Sequence, residues 1–200
     1  MSIPSAILLR ASLFAASLAF ASGAALAADP YTIDPNHTQV EFTYTHFGFS
    51  HITGHFQNVE GDFLFDPRDP TKSSIQVNIP MNTISVGVKA LDDELNQDIF
   101  FDTEKFPTAT FQSTSVTSTG KDHLAVAGDL TIHGVTKPVT FDVTVNKVGT
   151  QPMRGVPAAG FDATATIKRS DFGVSKYVPN VSDEVTIHVT METYAPKKTP

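Results

Sequence analysis

Three of the chain's seven histidines, His46, His51 and His55, fall in one short stretch, THFGFSHITGHF (45–56). Imidazoles this close together suit three kinds of chemistry. They can ligate Zn²⁺, act as a general base near neutral pH, or form the polar end of an apolar binding site. Strand alternation separates them. His46 shares the parity of Phe42 and Tyr44, whereas His51 and His55 lie on the face opposite Gly54 and Phe56. Ligands split between two faces do not converge on one tetrahedral ion, so no metal site is expected. His51 and His55 read as solvated. His46 is left either as a polar group at the inner end of an apolar face or as a structural histidine with its hydrogen bonds satisfied.

The other reactive side chains form no catalytic set. DPNHT (34–38) reads as a turn in which Asp34 or Asn36 accepts backbone N–H bonds, in preference to an Asp–His proton relay. Ser50 beside His51 has no nucleophile elbow around it. Asp92, Asp93 and Glu94 read as the solvated face of a helix. The chain has no cysteine, which excludes disulfides, thiolate metal sites and thiol nucleophiles. Glycine-rich phosphate loops and calcium loops are absent, and no cofactor is expected. The net charge is -7 and no block of Lys or Arg occurs. That composition lacks the footprint of a nucleic-acid binder and offers no attraction to an anionic membrane surface. Two alternatives remain: a secreted enzyme acting on a lipid-like or quinone-like substrate with His46 as general base and, ranked below it, a histidine-based metal-binding protein. The enzyme would need a partner within hydrogen-bond reach.

The elements that hold these residues are strands. Residues 1–27 read first as an export signal: Arg10, an apolar run from Ala11 to Phe20, and the cleavage pattern Ala25-Leu26-Ala27. The run is too short for a stable membrane span. Residues 28–200 then suit a single domain. From Tyr31 onward the dominant period is two. Apolar residues recur at Val40, Phe42 and Tyr44; at Leu124, Val126, Leu130 and Ile132; at Val139, Phe141, Val143 and Val145; at Phe161, Ala163, Ala165 and Ile167; and at Val185, Ile187, Val189 and Met191. Such alternation gives strands with one apolar and one polar face. Between Phe56 and Val59 the phase shifts by one, which predicts a single strand bent by a bulge near Gln57-Asn58. Turns are expected at 65–70, 118–122 and 133–138. KALDDELNQD (89–98) alone reads as helical, with Leu91 and Leu95 four apart. APKKTP closes the chain as a frayed tail.

About eight strands with all their apolar faces on one side are hidden by a sandwich or by a closed barrel, and a barrel also removes the exposed edges. Small residues among the phenylalanines (Gly54, Gly61, Gly128, Ala163 and Ala165) would leave a slot for a flexible apolar chain. The same residues equally well mark bends or fit large neighbours in a filled interior.

Several ordered blocks resemble the YceI-like family of bacterial periplasmic proteins: YTIDPNHTQVEF, THFGFSHITGHFQNVEGDFLFD, DIFFDTEKFPTATFQSTSV, GDLTIHGVTKPVTFDV and AGFDATATIKRSDFGV followed by SDEVTIHV. The resemblance runs from Tyr31 to Tyr194. It implies an all-β, eight-stranded antiparallel lipocalin-like barrel that binds a long-chain isoprenoid, fatty acid or fatty amide and performs no catalysis. It also implies a periplasmic location without stable membrane insertion, and leaves a homodimer possible. The expected ligand-binding residues are Phe42, Tyr44, His46, Phe56, Phe63, Phe65, Leu130, Phe141, Phe161 and Ile187. The aromatics form the wall, and Tyr44 and His46 meet the head group. Where relatives carry a basic or histidine-containing segment before the FF block, this chain has Asp92, Asp93 and Glu94. Over a barrel mouth those acids disfavour a diphosphate head and favour a neutral or amide one.

Overall fold

The computed structural model describes residues 28–196. The export signal expected over 1–27 lies outside the described residues, as does the tail at 197–200. Ten strands form one antiparallel sheet: β1 (Asp29–Ile33), β2 (Gln39–His46), β3 (Ser50–Phe56), β4 (Glu60–Phe65), β5 (Ser74–Pro80), β6 (Thr108–Gly120), β7 (His123–Ile132), β8 (Val135–Thr150), β9 (Pro157–Lys168) and β10 (Glu184–Tyr194). One helix, α1 (Lys89–Leu95), follows β5. It is shorter than the stretch that reads as helical in sequence, because Asn96 to Thr103 turn back on themselves through Phe101 N–H to Leu95 O and Thr103 N–H to Asn96 O bonds.

The register closes the sheet. β10 pairs β2 through Ile187 with Phe42 and Val189 with Val40, and further along pairs β1 through Thr193 with Ile33. β3 pairs β2, and β4 pairs β1. β1 and β2 are therefore one stave interrupted at Asp34–Thr38, and β3 and β4 are a second stave interrupted at Gln57–Val59. With β5 to β10 they make the eight staves of a closed barrel. The phase shift after Phe56 is thus a break between two strands and not a bulge within one. Asn58 takes the left-handed conformation there (φ 56°), and Val59 turns into the core. Bulges do occur, but in β6 between Ser113 and Ser115 and in β8 between Val145 and Lys147.

The break in the first stave is held by charge. Asp34, only 3% exposed, accepts from the Asn36 N–H (2.9 Å) and from His37 Nδ1 (2.9 Å), and Arg154 of the β8–β9 hairpin lies 3.6 Å away. The Arg154 guanidinium also covers the Tyr194 ring at 4.3 Å, and the Tyr194 hydroxyl donates to Glu192. The turn expected at DPNHT is present, and it includes the Asp34–His37 pair.

Two aromatic clusters bracket the interior. At one end Tyr31, Phe63, Phe65 and Phe161 interlock, with Phe65 and Phe161 edge to face at 5.1 Å. At the other, Phe42, Ile84, Leu95, Phe100 and Val174 pack with Tyr44, Phe56 and Leu91. Of the expected APKKTP tail, Ala195 is buried and its N–H bonds to Pro157 O.

Candidate functional site

Between the two clusters lies an apolar cavity of about 290 Å³. Its wall follows from the period of two. Each stave turns every second side chain inward, so Val40, Phe42, Tyr44 and His46 of β2 stand beside Val185, Ile187 and Val189 of β10, and Phe161, Ala163 and Ile167 of β9 follow. The structure places all ten sequence-derived residues on this wall: Phe42, Tyr44, His46, Phe56, Phe63, Phe65, Leu130, Phe141, Phe161 and Ile187.

The glycines do not provide the space. The Phe42 ring and Val86 already occupy the position of a Gly54 side chain, and the Phe111 ring occupies that of Gly128. Gly61 lies against the Gln76 carbonyl of the neighbouring strand. Ala163 does face the cavity, whereas Ala165 is packed into the core formed with Leu130 and Phe141.

At the α1 end the wall becomes polar. His46 and Tyr177 both line the cavity and reach solvent there, joined by Glu94 from α1, Tyr44 from β2 and Arg169 just beyond β9. Arg169 is half-buried and donates to three backbone carbonyls, Ser182 (2.9 Å), Val174 (2.8 Å) and Val181 (3.0 Å). The guanidinium thus ties the 173–182 loop to the barrel while its charge stays at the cavity mouth. Burial pulls its pKa down from the usual arginine range, with Asp183 and Tyr44 acting the other way. Burial pushes the Tyr44 hydroxyl up; Arg169 opposes that shift and Glu94 adds to it. The Tyr44 ring stacks on Phe42 at 6.3 Å. Deeper in the wall, Thr38 Oγ1 is a buried hydroxyl without a hydrogen-bond partner among the described residues.

The three clustered histidines separate as their parity requires. His46 ends β2, bridged to Val181, and its ring packs edge-on against Phe47 at 4.5 Å. It makes no side-chain hydrogen bond with an acid or hydroxyl among the described residues. His51 lies outside, against Thr45 Oγ1 at 3.2 Å. His55 is half-buried, with its backbone exchanging two hydrogen bonds with Ser85, so it is less solvated than its parity alone implies. Among the described residues no three His, Asp or Glu side chains form a cluster that could hold a metal ion.

The acids of α1 are also less uniform than a solvated face. Only Asp93 is exposed, paired with Lys89 at 2.7 Å. Asp92 accepts from Ser85 Oγ (2.9 Å) and Val86 N–H (2.6 Å), fixing the chain ahead of the helix, and Glu94 faces the cavity. Arg169 and the α1-side residues Leu91, Glu94, Leu95 and Phe100 are missing from the sequence-derived set. The parity of Phe161 to Ile167, continued by two residues, reaches Arg169.

The YceI-like domain profile matches residues 31–193. The chain is similar to Protein YceI of Escherichia coli O157:H7, at 38% identity over 179 residues, 88% of this chain and 92% of the relative. Among solved structures it superposes on BcnA of Burkholderia cenocepacia with a TM-score of 0.73 and 29% identity, covering 80% of this chain and 98% of that one. A polyisoprenoid binding domain from Saccharophagus degradans shares the fold with a TM-score of 0.64 at 17% identity, covering 83% of this chain and 98% of the other.

Proposed function

The chain belongs to the YceI-like family, and from that premise we propose that it is a periplasmic binding protein that encloses the tail of a long-chain amphiphile. The ligand class is a polyisoprenoid, fatty acid or fatty amide. Residues 1–27 act as the export signal, cleaved near Ala27, and residues 28–200 form the one binding domain. The protein binds and does not catalyse.

The observation that carries this reading is the apolar cavity itself, walled by inward side chains from all around the barrel and polar mainly at the α1 end. Burying an alkyl or prenyl tail there contributes roughly 0.8 kcal/mol per methylene. A long tail can therefore bind tightly with few hydrogen bonds. Arg169 and Tyr44 supply donors at the mouth, Asp183 acts on the charge of Arg169, and Glu94 adds an acid to the same lining, which favours a neutral dipolar head group over a diphosphate. The structural likeness to a polyisoprenoid binding domain supports a barrel able to hold such a tail.

Native mass spectrometry of protein purified from periplasm and membranes of its own host tests the reading. The expected spectrum carries an adduct of lipid mass that organic solvent removes. A protein that is empty, and that takes up neither prenyl nor fatty-acyl probes, overturns it.

A further inference from the structure

Of the eight large apolar side chains exposed among the described residues, five stand around the cavity mouth: Phe47, Phe49, Val88, Ile99 and Tyr177. They come from separate segments that the fold ties together. Phe47 N–H bonds to Asn180 O, Val181 N–H to Tyr177 O, and the Tyr177 ring meets Phe100, next to Ile99, at 6.1 Å. Val88 opens α1, whose Leu91 and Leu95 line the cavity. Phe49 sits in the turn between β2 and β3 and is 92% exposed. A scattered exposed apolar residue needs no explanation, but several grouped at one end of the barrel mark an interaction surface.

We propose that this rim is a membrane-docking surface, seating the cavity mouth in the headgroup–acyl boundary of an uncharged lipid bilayer while a ligand passes between bilayer and barrel. The proposal rests on the lipid-binding reading and adds the partner and the route of loading. Two features identify the occupant. First, the rim is continuous with the cavity, since Tyr177 belongs to both and Phe47 follows the lining residue His46. A tail crossing such a rim exchanges one apolar surface for another, whereas release through water exposes every methylene. Second, the charge fits a neutral surface and not an anionic one. The net charge is -7; of the lysines at the rim, Lys89, beside Val88, is paired with Asp93, and Lys176 lies over the Tyr177 ring at 5.1 Å. Aromatic side chains suit the interfacial region of a bilayer, and Phe49 and Phe47 would be the deepest anchors.

The chain contains no tryptophan, so F49W introduces a single indole at the rim. M153W, at a 91% exposed position in the β8–β9 hairpin at the far end of the barrel, is the control. With phosphatidylcholine vesicles, the F49W emission is expected to move to shorter wavelength and to be quenched by brominated acyl chains, at low and high salt alike. The M153W emission stays unchanged. Replacing both Phe47 and Phe49 by Ser lowers the fraction sedimenting with vesicles by about tenfold or more, the loss expected from removing two apolar anchors. No shift at position 49, an equal shift at 153, or a shift that needs only higher protein concentration without vesicles overturns the proposal; the last result would assign the rim to a second copy of the chain. A prenyl probe added from solvent separates the two readings. If the probe binds yet the indole stays unmoved, docking is overturned and the lipid-binding reading stands. If no probe binds, that reading falls, and the loading route falls with it.

Discussion

At the scale of single residues, a charged cluster away from the cavity mouth is centred on Asp34. The hydrogen bond from His37 leads in holding its carboxyl down to about 2, with the Asn36 N–H, the Tyr194 hydroxyl and the His37 charge adding to it against the opposing effect of burial. The same hydrogen bond leads in raising His37 above its ordinary value. The two shifts have opposite pH signs. The depressed Asp34 contributes stability that is complete above its ordinary value of 3.8 and is lost as pH falls toward 2. The raised His37 contributes below 6.5, and that contribution is lost as pH rises through its folded-state value. The pair therefore stabilises most between 3.8 and 6.5. Asp34→Ala is expected to cost about 1 kcal/mol in that window, the usual net loss of hydrogen bonds whose donors, here Asn36 N–H and His37, can turn to water. Urea midpoints measured across pH should show the gap between wild type and variant narrowing on both sides. A gap that stays constant would mean the pair does not form in solution. The same residues show what sequence can and cannot reveal. Asp34 two places before Asn36 is a local turn signal and was legible. The approach of Arg154 and Tyr194 was not, because residues more than a hundred positions apart meet only once the barrel has closed.

At the scale of elements, the inward wall was legible because a strand's period depends on nothing outside the strand. Phe42, Phe141, Phe161 and Ile187 could be assigned to the interior without knowing which strand neighbours which. Helix α1 gave no such certainty. A seven-residue helix has no long-range period, and whether Glu94 or Asp93 faces the cavity is set by how the 81–107 segment docks across the mouth. The break at Gln57–Val59 was misread for a related reason. A parity change looks the same whether an extra residue bulges out of one strand or the chain leaves one partner for another, and only the pairing of β3 with β2 and of β4 with β1 separates the two. Gly54 makes the element-level packing testable. A side chain there would meet the Phe42 ring and Val86 Cγ1, the latter at 2.8 Å. Gly54→Ala should therefore push Phe42, a wall residue, toward the cavity. Overpacking of this kind costs about 1–3 kcal/mol, and affinity for a fluorescent prenyl or fatty-acyl probe should fall with it. Stability lost without any change in affinity would show that Phe42 yields away from the cavity.

At the scale of the whole molecule, the barrel divides its interior between two tasks. The Tyr31, Phe63, Phe65 and Phe161 rings fill one end as a core, and the cavity keeps the remaining apolar surface together without filling it. A bound tail restores the contacts that an unfilled interior forgoes, and it stabilises the folded state in proportion to the logarithm of its concentration over Kd. Filling the space with protein should separate these roles. Ala163 stands on the cavity wall between Val143 and Val189, both of which also line it. Ala163→Trp places an indole in a cavity of about 290 Å³, where it competes directly with the tail. The expected result is a barrel with a melting temperature at least equal to that of the empty wild type, no further rise when the probe is added, and probe affinity lowered by about tenfold or more, equivalent to about 1.4 kcal/mol of lost binding. Unaltered affinity in a folded Ala163→Trp protein would place the ligand outside the barrel. Lowered affinity accompanied by a collapsed melting temperature would instead mean that the indole disrupts the wall, and the smaller Ala163→Leu change would then decide between lost space and lost fold.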